Sequence, residues 1–198
     1  INDFEELNGR EVFIQPGIIY WEYLKSQYDL SSVVELAYTG QHVNFIPKVE
    51  SVTQAFLTSE PYFMELENVP VESKLISDAG YDPYNVVLYV TKDYLAENEA
   101  TVKAFTTAFI EGWNLYKDSY EEINKLVQKD NPDIELASLK FEAEAQEQFV
   151  YGMDAAENGV GFMTEQRWAT LIEQLHDLEL LDEVFDAKDI FTTDYLVQ

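Results

Sequence analysis

The sequence predicts an α/β fold, with an at least partly parallel sheet in its first half and helices in its second. Three observations predict it. Short apolar runs parted by turns fill residues 1 to about 95. Strand, helix and strand follow one another in that region, an order that calls for a right-handed crossover between parallel neighbours. From about residue 98 the apolar positions fall at helical spacing.

Residues 11–15 read as a strand ended by Pro16 and Gly17. Residues 18–28 then carry Ile18, Tyr20/Trp21, Leu24 and Tyr28 at helical spacing, and residues 33–38 form the next strand, stopped by Thr39 and Gly40. A short helix is expected over 51–57. Two more strands are expected over 71–76 and 85–90, with a turn-rich connection between them. Val102, Phe105, Phe109, Trp113 and Tyr116 make one stripe on a helix over 98–118. Ser119 and Glu122 have the spacing of a capping box and open the next helix, which ends at Asn131 and Pro132. A third helix is expected over 134–156, with Leu136, Leu139 and Phe149/Val150 facing in, broken by residues 158–162. Thr164 caps a last helix through Trp168, Leu171/Ile172 and Leu175, and short elements follow from Leu178.

The 198 residues carry 38 Asp plus Glu against 12 Lys plus Arg, a net charge of −26, and neither half is basic: 15 acids face 5 bases in residues 1–95, and 23 face 7 in 96–198. A hydrophobic fraction of 46% and an aromatic fraction of 14% exclude a disordered acidic tail, so the acid coats a folded body. Such a surface repels phosphate backbones and anionic lipid, which excludes nucleic acid and membrane docking as expectations. It is read first as a solubility feature or an adaptation to salt, and second as a field steering a basic partner. The chain lacks cysteine, so thiol catalysis, disulfides and thiolate metal sites are out. The longest apolar runs are strand-length and do not span a membrane. The first residues, with neither an initiator methionine nor a signal peptide, read as the middle of something longer.

Catalytic and metal signals are thin. The two histidines, His42 and His176, have no metal-seating spacing; His176 reads as a helix surface residue and His42 as a turn residue with some claim to face a ligand. Gly159 and Gly161 follow a helix, which makes them a cap and turn, not a phosphate loop. No cofactor and no metal are expected. Recognition signals are better. Residues 15–21 pass from a strand into a helix, with free backbone N–H groups beside Tyr20 and Trp21; this is either a tight turn with both rings in the core or the corner where open α/β sheets hold ligands. Thr58, Ser59, Glu60, Pro61 and Tyr62 either converge on a ligand or form a plain helix start with Ser59 as cap. Residues 78–84 put Tyr81 and Tyr84 on one ordered loop.

With these segments in view, the sequence resembles the NMT1/THI5-like family of ABC-importer substrate-binding proteins, of the type 2 periplasmic-binding fold. Residues 3–12 resemble its opening DLxGKxV with two extra residues; Gly17 stands for its glycine turn into a helix, and residues 58–61 are its TSEP. Residues 80–91 resemble GYDPYxxVLxxT, residues 102–113 resemble VxAFxxAxxEGW, and residues 161–181 fit its final helical region. Their common order makes the set specific.

The resemblance implies two α/β lobes clamping a small solute in the cleft, with hinge closure and delivery to an ABC transporter permease and no chemistry. It implies a periplasmic or extracellular place, anchored to the membrane through a missing N-terminal segment. Residues 1–80 would be the second, inserted lobe. Residues 81–198 would supply the return strand and C-terminal helices of the first lobe, which would be incomplete. Carried over by position, the ligand-binding candidates are Gly17, Tyr20, Tyr38, Thr39, Thr58, Ser59 and Glu60. Helix-start amides would take an anionic or carbonyl group, Glu60 would accept from a ring amine, and Tyr20 or Tyr38 would stack on the ring. Sulfonate-binding relatives place small hydroxyl residues after the first glycine. Ile18, Ile19, Tyr20 and Trp21 here favour a flat nitrogen heterocycle of the thiamine-pyrimidine or flavin kind. Two alternatives stand beside this: a pyrimidine-precursor enzyme of the same fold, whose fungal members use a cysteine-rich motif absent here, and a ligand-sensing regulatory domain.

Overall fold

The computed structural model describes residues 3–196. The chain divides into two compact units, one of residues up to Asp82 with Leu171–Val184, the other of Pro83–Thr170 with the residues from Phe185 on. Among the described residues the architecture is α/β.

The first unit is built on three parallel strands, β1 (Glu11–Ile14), β2 (Val34–Ala37) and β3 (Val52–Thr53), in the order β2-β1-β3. Glu11 stands opposite Val34 in one ladder, and Val12 opposite Val52 in the other. Central β1 is buried throughout Val12, Phe13 and Ile14, and its side chains alternate between faces. Val12 and Ile14 join Phe4, Leu7 and Leu30 and meet α1 (Ile19–Gln27) through Trp21 and Leu24. Phe13 has Phe45 edge-on at 6.5 Å and the Lys48 ammonium over its ring at 5.6 Å. Trp21 therefore belongs to the core, and its Nε1 donates to Glu35 Oε1 of β2 at 2.8 Å.

The helix expected over 51–57 is not formed. Val52 and Thr53 extend beside β1 instead, and the helix, α2 (Glu60–Leu66), begins three residues beyond that window. The apolar pattern of so short a run does not separate strand from helix; the ladder with β1 decides it. Residues 71–76, expected as a strand, run without ladder partners among the described residues into a 3-10 turn at Ile76–Ala79.

The second unit is helical. Its long helix α3 (Lys92–Asp130) is capped by Thr91, whose side chain accepts from Tyr94 N at 3.2 Å. It starts earlier than the periodicity predicts, but its backbone leaves helical values at Asn98 and Ser119, the two places where helix starts are expected. Tyr116 OH donates to Asn124 Oδ1 at 2.8 Å across the second kink. Eight residues on a straight helix lie about 12 Å apart along the axis, so the bend is what lets these side chains meet. Rings of Phe105, Phe109, Trp113, Tyr116 and Tyr120 follow one another at 5.7–6.3 Å along α3. The expected stripe is thus present, but Phe105 and Phe109 on it are exposed, while Ile110 is buried.

The third expected helix divides into α4 (Leu136–Val150) and α5 (Met153–Asn158) at Gly152. A Cβ there would stand 2.3 Å from the Gln148 carbonyl oxygen, so only glycine fits. Of the residues expected to face in, Leu139 is buried while Leu136 and Phe149 are exposed. Thr164 Oγ1 accepts from Arg167 N at 3.3 Å and caps α6 (Glu165–Asp177) as expected. Residues 85–90 form no strand among the described residues: Val86 and Tyr89 are 90% and 89% exposed, and Val86 takes a φ of +55°. Strand propensity reflects packing against neighbours, and without them this run has nothing to hold it extended. No described helix is long and apolar enough to cross a membrane.

Candidate functional site

The carboxyl ends of the three parallel strands lead into Gln15, Tyr38 and Gln54. Because the chain lays β2 on one side of β1 and returns to place β3 on the other, the connections diverge at this edge. In open α/β sheets such a crevice is where ligands bind.

After β1, Pro16 and Gly17 turn the chain, with Ile18 N donating to Gln15 O at 3.3 Å. Gly17 has φ +74°, the left-handed value that a proline-glycine turn of this kind needs at its second corner. The turn starts α1 at Ile19 with no side-chain cap, which leaves its first amides without a side-chain acceptor. It also sets Tyr20 toward the edge while Trp21 enters the core. Gln54 Oε1 accepts from Gln15 N at 2.6 Å and from Tyr20 OH at 3.3 Å, so this one carbonyl ties β3, β1 and α1 together.

On the β2 side, Tyr38 OH donates to Glu60 Oε1 at 3.5 Å, and His42 Nε2 lies 3.9 Å from the same oxygen. The Tyr38 and His42 rings are 5.7 Å apart at 46°. The other carboxylate oxygen, Glu60 Oε2, accepts from Phe56 N at 2.7 Å. Glu60 therefore has one oxygen fixed by its own loop and the other held loosely, at distances where hydrogen bonding is marginal. Burial, and then the neighbouring Tyr38, push the Tyr20 phenol up to about 12. Burial and then Glu60 raise Tyr38 as well. Both rings are neutral in ordinary buffers and offer faces and hydroxyls rather than charge.

Of the residues nominated from sequence, Tyr20, Tyr38 and Glu60 come to this edge half-buried. Gly17 and Thr39 are exposed, and Gly17 has only backbone to offer. Thr58 and Ser59 are half-buried, and Ser59 occupies the N-cap of α2 without using its side chain there, contrary to the capping expectation. Gln54 was hidden by the helix reading of 51–57; a polar residue directly after Val52 and Thr53 was the available signal. Tyr81 and Tyr84 part company: Tyr81 packs on Tyr23 at 5.2 Å in the first unit. Tyr84 sits under the Arg167 guanidinium at 4.1 Å, accepts from Thr164 N at 2.8 Å and donates to Asp154 in the second. His176 lies on α6, its side chain 44% exposed.

At the opposite, amino edge, a depression is lined by Asn8, Gly9, Arg10, Glu11 and residues 48–51. Its cations are already matched, Arg10 with Glu50 at 3.0 Å and Lys48 with Glu11. No group of three or more potential metal ligands occurs among the described residues. Compared with known proteins, the chain matches the family described as NMT1/THI5 like over residues 1–123. No curated protein matches it.

Proposed function

Because the chain belongs to the NMT1/THI5-like family, we propose that it is the solute-binding component of an ABC importer. In this reading it captures a small, flat, nitrogen-heterocyclic solute of the thiamine-pyrimidine or flavin kind. The observation that carries the reading is the cluster of Tyr20, Tyr38, His42 and Glu60 around the carboxyl edge of the sheet. Two neutral aromatic rings supply stacking faces, and Glu60 Oε1 supplies an acceptor free to tighten on a ring amine. The chain acts by capture and release, without chemistry, and hands its solute to a membrane permease outside the cytoplasm. In this reading residues 1–80 are the family's second, inserted lobe and residues 81–198 supply the return strand and C-terminal helices of its first lobe, with hinge closure around the solute as the working motion.

A thermal-shift screen against thiamine precursors, riboflavin, taurine and polyamines tests this. Stabilisation by pyrimidines or flavins supports it, and stabilisation by the sulfonate alone overturns the ring-binding argument. Glu60→Gln weakens an amine-bearing ligand by about 1.5–3 kcal/mol in a titration, as loss of a charged hydrogen bond requires. An unchanged affinity removes Glu60 from the site.

A further inference from the structure

Gln54 follows β3 directly, and its backbone N–H donates to Phe13 O at 2.9 Å, which carries the ladder one step past Thr53. Its side chain lies half-buried at the carboxyl edge. The amide oxygen, Oε1, accepts from Gln15 N at 2.6 Å and from Tyr20 OH at 3.3 Å. A backbone N–H can be met only by an acceptor, so the bond from Gln15 decides which end of the amide is oxygen and which is nitrogen.

The nitrogen end has no such engagement. Nε2 meets no acceptor among the described residues, and it is not closed off from solvent. An amide bonded through its oxygen alone keeps both N–H donors for a group outside the protein. Pinning Oε1 from β1 and α1 also removes much of the rotamer freedom that a surface glutamine would lose on binding. A ligand that uses Nε2 therefore meets a donor already in place. Tyr20 indicates what such a ligand is like, because its hydroxyl touches the same amide. A flat ring lying on the Tyr20 face comes within reach of Nε2.

Resting on the reading of the carboxyl edge as the solute site, we propose that Gln54 is a specificity-determining residue there. Its Nε2 donates to a ring nitrogen or carbonyl oxygen of the solute that stacks on Tyr20. The solute is thus an aromatic ring with an acceptor in or on it. A carbocyclic ring of the same shape would strip water from Nε2 without replacing it, and an unpaired donor of this kind is how polar sites reject an isostere.

NMR titration of the chain with 4-aminopyrimidine and with aniline tests this. Both probes are six-membered rings bearing an amino group, and only the first has ring nitrogens that accept. The expected result is a shift of the Gln54 side-chain amide signal with 4-aminopyrimidine, which binds about tenfold or more tighter than aniline. Gln54→Glu keeps an oxygen for Gln15 N and Tyr20 OH but turns the donor into a second acceptor, and it removes the preference. Signals of Tyr20 and Tyr38 that move with 4-aminopyrimidine while the Gln54 amide stays still overturn the role of Gln54 and leave the site reading intact. Equal binding of the two probes, or a preference that survives Gln54→Glu, does the same. Failure of both probes to move Tyr20 and Tyr38 overturns the site reading and the proposal with it.

Discussion

The phenol of Tyr20 shows how the carboxyl edge treats a single side chain. An unfolded tyrosine ionises near pH 10, and in the folded chain burial and then Tyr38 hold this proton up to about 12. The group's contribution to stability is therefore complete below pH 10. It is lost as the pH climbs from there through about 12, where the unfolded chain releases a proton that the folded one retains. In a phenolate absorbance titration Tyr20→Phe removes one late-ionising group and leaves that of Tyr151, which is also pushed up to about 12. An unaltered curve contradicts the burial assigned to Tyr20. Tyr20 and Glu60 were legible because each stands at an element boundary that turn chemistry marks, Gly17 and Pro61, whereas Tyr38 came only with the family resemblance. Gln54 was not, and the approach of His42 to Glu60 was not. Both depend on which strands are neighbours, a fact with no local signature.

At the scale of elements, glycine has opposite consequences at two positions. Gly152→Ala forces a Cβ to within 2.3 Å of the Gln148 carbonyl oxygen, so the junction of α4 and α5 must shift. A loss of about 2 kcal/mol or more in denaturant unfolding is expected, and an unaltered midpoint contradicts the close approach. Val86 is the converse. A left-handed backbone costs a branched residue about 1–2 kcal/mol, and glycine's own entropic cost is about 0.5–1 kcal/mol. Val86→Gly therefore raises the unfolding midpoint slightly; a clear fall would mean that residues 85–90 are paired as a strand. The same physics explains what could be read from sequence. β1, α1 and β2 carry their periodicity and their stop signals within themselves. The bends in α3 at Asn98 and Ser119 were likewise marked by residues that suit helix starts. β3 is two residues long and exists only through β1, while 71–76 and 85–90 have the composition of strands and no ladder.

For the molecule as a whole, −26 charges on 198 residues make repulsion a standing cost of the folded state at low ionic strength. Salt screens that repulsion over the Debye length, about 10 Å at 0.1 M and about 3 Å at 1 M. Thermal unfolding in rising sodium chloride should give a midpoint that climbs most steeply at low salt; a flat or falling midpoint would mean that the acids are matched locally. The strand order has a consequence of another kind, in the timing of assembly. Register places Glu11 with Val34 and Val12 with Val52, so the second ladder closes a loop of 40 residues where the first closes 23. Emerging from a ribosome, β1 finds β2 first and waits for β3, and Gln54 and Glu60 arrive with that last step. The edge that gathers Tyr20, Tyr38 and His42 is thus the final part to be completed and the first to open. Amide exchange reads this as earlier loss of protection at Gln54, which donates to Phe13 O at 2.9 Å, than at Tyr38, which donates to Ile14 O at 3.0 Å. Equal protection at the two amides would mean that the ladders form and break as one.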